Sequence, residues 1–368
     1  MKRPVSIVRC KTYNYKDVEI AVRKAFDLIG GLSSFIDKED KVLIKPNMLS
    51  GRPPEDNVNT HPEVVRAVVR LVKECGGYPA IGDNPGGSLN AEEAYQSSGM
   101  ARVAYEEGIE CLKSNDVRIV NGLPISSYFF DYDKIISLPK MKTHSLMLIT
   151  GAIKNMFGAV SGLNKSECHR RFPLPEDFVH ILVDAFTAVR PDLVLMDGIV
   201  AMDGDGPASG RLRHAGILIA GEDSVAVDSV FSRLIGITPE DILTIKEAVK
   251  RGLGQCDLNN IEIIGERMED VYIKGFRLPR SRFILRIPGF VINFLAGLVK
   301  FGPFVDRHLC RKCNACLEAC PNSAIFIDKK GYYTIDYHRC IRCMCCHEVC
   351  PHRAIGLRRN ILARLVGL

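Results

Sequence analysis

The feature that most constrains this chain is a cysteine run written twice near its C-terminal end. Cys310-Arg-Lys-Cys-Asn-Ala-Cys-Leu-Glu-Ala-Cys-Pro321 is followed, after eighteen residues, by Cys340-Ile-Arg-Cys-Met-Cys-Cys-His-Glu-Val-Cys-Pro351. Each half spaces its cysteines as C-x2-C-x2-C-x3-C-P. Two-residue gaps let one tight loop present three thiolates to a single metal–sulfur cube, while the remote fourth cysteine serves the other cube. The spacing therefore predicts two [4Fe-4S] clusters. Cys310, Cys313, Cys316 and Cys350 would hold the first; Cys340, Cys343, Cys346 and Cys320 would hold the second. Zinc knuckles carry two C-x2-C pairs at longer separation and no third cysteine at this interval, so the pattern favours cubanes. Cys345 lies outside the ligand spacing and reads as a bystander.

The run is also the chain's internal repeat. Cys320-Pro-Asn-Ser-Ala-Ile-Phe-Ile327 matches Cys350-Pro-His-Arg-Ala-Ile-Gly-Leu357, so each half adds a short strand to its cysteine loop. Lys329-Lys330-Gly331 supplies a hairpin turn between them. Of fourteen cysteines, nine lie in this segment and the other five are scattered, which is no disulfide framework and points to a reducing, cytoplasmic compartment. The net charge of +6 is spread along the chain until the tail, arguing against a nucleic-acid binder. Residues 283–305 are the most apolar stretch, but Arg286, Lys300, Pro288-Gly289 and Gly302-Pro303 interrupt it. It reads as interdomain packing, or as a peripheral membrane contact, and not as a spanning helix.

Upstream, short apolar runs alternate with segments of helical periodicity. Lys41-Val-Leu-Ile-Lys45 has the look of a buried strand, residues 64–75 of a helix closed by Gly76-Gly77, and the alternation continues to a last strand at 261–264. This predicts an α/β fold: a mainly parallel sheet layered with helices, in one or two lobes over residues 1–265. A linker with an apolar helical segment would occupy 266–306. A small α+β module with the cysteines would fill 307–358, with a basic tail over 359–368.

Binding sites in such folds gather beyond the carboxyl ends of strands. Between residues 140 and 171 the rhythm gives way to a basic, glycine-bearing stretch. Lys140, Lys142, His144, Lys154, Asn155, Lys165, His169 and Arg170 crowd around glycines and around Ile153, Met156 and Phe157. Lysine and arginine charges with close backbone approach suit an anion. A histidine can move a proton near neutral pH. Residues 197–210 read as a second glycine-rich loop, offering Asp197, Asp203 and Asp205 for a metal, a proton, or the orientation of a lysine. Lys45-Pro46-Asn47 and Asp83-Asn-Pro-Gly-Gly87 end strands and would line the same rim. Candidate catalytic residues are thus His144, Lys154 and His169. Candidate substrate-binding residues are Lys45, Asn47, Lys140, Lys142, Asn155, Lys165, Arg170, Asp203 and Asp205.

Lys45-Pro-Asn47, Lys140-x-Lys-Thr-His144, Gly151-x-x-Lys-Asn155 with Gly158, and Asp203-Gly-Asp-Gly-Pro-x-x-Gly210 together resemble the domain-of-unknown-function 362 family. The resemblance implies architecture: an α/β domain joined to a C-terminal bacterial-type ferredoxin module. The layout is more loosely similar to the nickel-pincer lactate racemase family, with no motif to carry residues over. Three functions are open at this point. The first is an oxidoreductase of anaerobic metabolism, passing electrons from the clusters to an anionic small molecule or an additional cofactor in the α/β domain. The second is an electron carrier or assembly partner that docks a client protein. The third is a proton-transfer enzyme, racemase-like or lyase-like, with structural clusters. A redox partner protein is expected for the first two.

Overall fold

The computed structural model describes residues 2–86, 91–113, 116–279 and 301–359. The chain begins with β1 (Arg3–Arg9), α1 (Tyr15–Asp27), β2 (Lys41–Pro46), α2 (Pro62–Glu74) and β3 (Tyr78–Ile81). Asn14 caps α1 by accepting from the Lys16 N–H. Proline opens α2, where its missing N–H costs nothing, and the His61 ring accepts from the Glu63 N–H. Next come α3 (Ala91–Ser97) and α4 (Met100–Glu107), separated at Gly99, whose φ of +80° a side chain would strain. A hairpin of β4 (Val117–Val120) and β5 (Leu123–Ser126) leads into β6 (Lys134–Leu138), β7 (Lys140–His144) and β8 (Leu148–Ile149).

Three helices follow: α5 (Gly151–Asn155), α6 (Asn164–Arg171) and α7 (Pro175–Ala188). Two long strands, β9 (Leu193–Asp203) and β10 (Arg211–Gly221), then precede α8 (Ser224–Leu234), α9 (Leu243–Lys250), β11 (Ile261–Gly265) and α10 (Met268–Val271).

The strands form one mixed sheet in the order β11-β1-β10-β9-β6-β2-β3, with β7 continuing alongside β9 and β8 hanging on β7. Five of its pairings are parallel, and β10 runs antiparallel to both β1 and β9. Side chains on each strand alternate between the two faces. Leu43, Val194, Met196, Ile217 and Ile219 pack under α5, α7, α8 and α9. Their neighbours Val42, Ile44, Leu193, Leu195 and Leu218 pack under α1 and α2. The expected α/β sheet with helices on both faces is what the chain forms.

Residues 197–210, read as a loop, are half strand: β9 runs on to Asp203, and only 204–210 form the turns that lead to β10 at Arg211. Likewise 140–144 is strand, with Pro139 interrupting what would otherwise be one edge against β9; its carbonyl accepts from the Asp197 N–H at 2.8 Å. The fold also continues past Gly265, where Val271, Ile273 and Phe276 are buried against the core. The apolar segment at 283–300 and the tail from 360 lie outside the described residues.

The small module consists of β12 (Phe301–Val305), α11 (Ala315–Glu318), β13 (Ile325–Ile327), β14 (Tyr333–Ile335), α12 (Cys345–Val349) and β15 (Ile355–Arg359). The β13–β14 hairpin turns at Lys329-Lys330-Gly331, and β12 pairs with β15. The module docks on the α/β lobe through Arg52, which is 1% exposed. Its guanidinium donates to the Cys350 carbonyl at 2.7 Å and pairs with Asp56 at 3.1 Å; Asp56 also holds Arg353 at 2.7 Å. Removing one member of a buried charge network strands the rest. Arg52→Met should weaken docking by about 3 kcal/mol, read as faster amide exchange or proteolysis within residues 301–359, with the sheet core still protected.

Candidate functional site

The carboxyl ends of β2 and β3, helices α5 and α6 and the turn after α5 converge on one cleft, and α12 of the small module walls its far side. The cavity, about 80 Å³ and partly open to solvent, is lined by Asn47, Met48, Leu49, Asp83, Asn84, Gly86, Lys154, Asn155, Phe157, Gly158, Lys165, Ser166 and His169 from the α/β lobe. Cys345, Glu348 and Val349 from α12 complete the wall. A space of this size holds several waters or a small ligand.

Several groups in the cavity are left for a ligand. The Lys154 ammonium lies 5.9 Å from the Phe157 ring centre, and burial pushes its pKa down, with Glu348 and Cys345 opposing. Lys165 donates to the carbonyls of Asn84 and Pro85, and burial lowers it to about 7 against the pull of Asp83. Asn155 donates to Ser137 Oγ at 2.9 Å, yet its Oδ1 is buried without a donor, as is Asn47 Oδ1. His169 stacks on Phe178 at 4.1 Å and edges against Phe157; burial lowers it to about 4, so it is neutral near pH 7.

His144 stands one layer back. Its Nδ1 accepts from the N–H groups of Leu146 and Met147, which places the ring proton on Nε2, 3.2 Å from Glu348 Oε1 though out of line for a good hydrogen bond. Burial, then the Lys154 charge, lowers His144 to about 4. Burial alone would raise Glu348, but His144 and Lys154 hold it well below the usual carboxylate range. Near neutral pH the pair is therefore imidazole and carboxylate.

Other sequence candidates have different work. Lys45, fully buried, pairs with Asp83 Oδ1 at 2.7 Å, and Asp83 Oδ2 accepts from the Met48 N–H; together they brace the rim. Lys140 is tied to Asp197 at 2.8 Å and to the Tyr13 hydroxyl at 2.6 Å. Lys142 donates to the Val58 carbonyl at 2.7 Å. Neither lines the cavity, because they occupy alternate positions of a strand and extend into the α2 side of the sheet. Arg170 lies on the surface against Glu167, three residues back on α6. Asp203 is held by Arg211, Arg213 and the Arg277 N–H, and Asp205, half-buried, is not part of the lining either. Among the described residues Asp197, Asp203 and Asp205 do not converge on a metal position.

Sequence reasoning passed over Glu348 and treated Cys345 as a bystander. The repeat register offered a hint, since Glu318 and Glu348 hold equivalent positions in the two halves.

The cysteines gather in two further cavities of the small module. One is lined by Cys310, Cys313, Cys316 and Cys350. The other is lined by Cys320, Cys340, Cys343 and Cys346. Each offers four sulfurs, the donor set of a cubane, with the fourth arriving from the opposite half. The halves share backbone geometry. Non-glycine residues with positive φ fall at Lys312, Asn314 and Ser323 (56°, 66° and 48°) and again at Arg342, Met344 and Arg353 (59°, 67° and 54°). The Ala324 and Ala354 N–H groups donate to Cys320 and Cys350 Sγ at 3.1 and 3.3 Å. Such donors to sulfur tune a cluster's potential.

Fold and site thus define an iron–sulfur protein built on an α/β domain, and comparison with known proteins agrees. The model described as Domain of unknown function (DUF362) matches residues 42–233, and a 4Fe-4S dicluster domain matches 309–354. A thylakoid-associated protein of Synechocystis sp. is 34% identical over 270 residues, covering 69% of this chain and 81% of that protein. Among solved structures, the lactate racemase apoprotein from Thermoanaerobacterium thermosaccharolyticum aligns with a TM-score of 0.38 at 13% identity, over 60% of this chain and 54% of that one. The chain belongs to the DUF362 family, with a C-terminal 4Fe-4S dicluster domain. Among the described residues no helix is long and apolar enough to cross a membrane.

Gly158 tests how tightly the rim is built. A Cβ there would stand inside contact distance of Asp83 Oδ1 and Lys45 Nζ. Gly158→Ala should destabilise the protein by about 2–3 kcal/mol, read as a lower urea midpoint at unchanged slope.

Proposed function

We propose that this protein is an iron–sulfur oxidoreductase whose substrate is a small anionic molecule bound in the cavity between the α/β lobe and the dicluster module. The observation that carries this reading is the shared wall. Cys345 sits between Cys343 and Cys346 in sequence, next to the second cysteine cavity, and the same residue lines the ligand cavity together with Lys154 and Lys165. On this reading Cys310, Cys313, Cys316 and Cys350 ligate one cluster; Cys340, Cys343, Cys346 and Cys320 ligate the other, next to the cavity. Bound clusters supply electrons one at a time.

The chain's own residues do the rest. Lys154 and Lys165 neutralise the anionic group. Asn155 Oδ1 and Asn47 Oδ1 accept from an N–H or O–H of the same molecule, which orients it. Phe157, Met48 and Val349 exclude water from its apolar part. Glu348 stands in the cavity with His144 behind it; because His144 and Lys154 favour its ionised form, a proton it takes from the bound molecule is held weakly and passed on readily. His169 is a second proton site on the opposite wall. Cys345 is not needed as a ligand: Cys345→Ser should retain the iron of both clusters, whereas Cys346→Ser should lose that of one.

Native mass spectrometry of anaerobically isolated protein, followed by reoxidation of photoreduced protein with small carboxylate and phosphate-ester acceptors, tests the proposal. Lys154→Met should cut the apparent affinity for an active acceptor by at least about tenfold, with the cluster EPR spectrum unchanged. If no acceptor both binds and reoxidises the protein, or if the variant matches wild type, the reading fails.

The pH response follows from Lys165. Its protonated form attracts the anion, so affinity should be highest below pH 7 and fall as pH rises through about 7. Binding the anion moves that midpoint upward. Lys165→Met should flatten the profile, measured by titration calorimetry with the acceptor identified above.

A further inference from the structure

We propose that the outward face of the small module, centred on Tyr332 beside the loop that carries Cys310 and Cys313, is a docking surface for a small acidic electron-carrier protein. It lies on the module and not in the cavity, so it stands whether or not the cavity reading survives.

Three observations place it. First, Tyr332 is 37% exposed, with the Arg307 guanidinium 4.3 Å and the Lys312 ammonium 5.9 Å from its ring centre. Second, Arg311 and Lys312 also line the cavity formed by Cys310, Cys313, Cys316 and Cys350, and Cys313 is itself exposed. Lys312, which stands by the aromatic, therefore stands at the cysteine-lined cavity too. Third, exposed Lys329 and Lys330 form the hairpin turn next to Tyr332. The carboxylate within this patch, Asp328, accepts from the Lys330 and Tyr332 N–H groups and lies 3.8 Å from Arg307, so its charge is directed inward. Exposed Leu309 and Ile327, at 48% and 52%, border the cations with apolar surface.

A flat aromatic with apolar neighbours inside a mainly cationic surround, with Glu318 exposed on the adjacent α11, is the layout of a steered, transient interface. The complementary partner is acidic. The location over a four-cysteine cavity gives that partner its function, because a carrier seated here needs no further approach to exchange an electron. The step is outer-sphere: one electron leaves the carrier and enters the module, and no bond is made or broken. The second cysteine cavity is walled by Pro303, Asn322, Ile341 and Met344 and adjoins the α/β lobe through Cys345. Among the described residues its lining includes no lysine or arginine, so the two cysteine cavities of the module have different walls.

The test uses the full chain with its clusters reconstituted, and a reduced acidic bacterial ferredoxin as the probe. Stopped-flow reduction and titration calorimetry are run across ionic strength on wild type and on Lys329→Glu/Lys330→Glu. Both substituted side chains are exposed and neither touches a cysteine. Wild type should react fastest at low salt and slow as salt rises. The variant should be about tenfold or more slower at low salt, with weaker binding, and should converge on wild type at high salt. Photoreduction by neutral deazaflavin and the EPR spectra should be the same for both, which shows that the clusters are intact. A variant that the ferredoxin reduces at the wild-type rate, a wild-type rate indifferent to salt, or tighter binding of duplex DNA than of ferredoxin would each overturn the proposal.

Discussion

One carboxylate holds the cleft together. Glu348 is carried from the small module into a region where Lys142, Lys154, His144 and His169 are all within electrostatic reach, Lys154 half-buried and the other three buried. Basic groups packed that densely lose hydration, and the pKa of each is driven down. Glu348 is the counter-charge that opposes this for Lys154, Lys142, His144 and His169 alike. It is supplied only when the module is docked. The basic wall of the cavity and the position of the module are therefore one electrostatic problem, and Arg52 with its hold on the Cys350 carbonyl is the mechanical half of the same solution.

This arrangement has a consequence for the proposed chemistry. Glu348 follows Cys346 by two residues on α12, so a charge added at the adjacent cysteine cavity is felt by Lys154 through the same low-dielectric wall. Extra negative charge there favours protonated Lys154 and Lys165, and protonated lysines favour an anion in the cavity. Electron arrival and anion binding would then support each other, with coupling that is reciprocal by necessity.

What could be read from sequence follows the range of the forces involved. Cluster spacing is local and so was legible, as were the buried strands, whose apolar runs record burial on both faces. Partnerships across the fold were not. Lys140 looked available because its partner Asp197 is 57 residues away. Asp203 looked like a loop ligand because nothing local announces that Arg211, on the neighbouring strand, claims it. Thr60 three residues before Glu63 reads as a capping box. Instead its hydroxyl bonds the Leu138 carbonyl and the Asn47 N–H, tying β2 to β6, and His61 takes the cap. Lys154, Lys165 and His169 were singled out by composition alone, and the cavity does gather them, because α5 and α6 turn inward where glycines permit close approach.

The deepest asymmetry lies within the repeat. Its halves share ligand spacing, left-handed positions and even the glutamate two residues after the third cysteine. Glu318 nevertheless stays on the surface, while Glu348 is held in the cleft. The backbone around both is the same within a few degrees of φ at three paired positions, so the left-handed turns do not set them apart. The distinction comes from what each glutamate faces: Glu318 on α11 faces solvent, while Glu348 on α12 faces the cavity that α5 and α6 line. A duplicated cysteine motif on its own is symmetric and has no preferred direction. Docked on this α/β lobe it acquires an outer end and an inner end. Two glutamates of one type then have separate fates, set by environment and not by sequence.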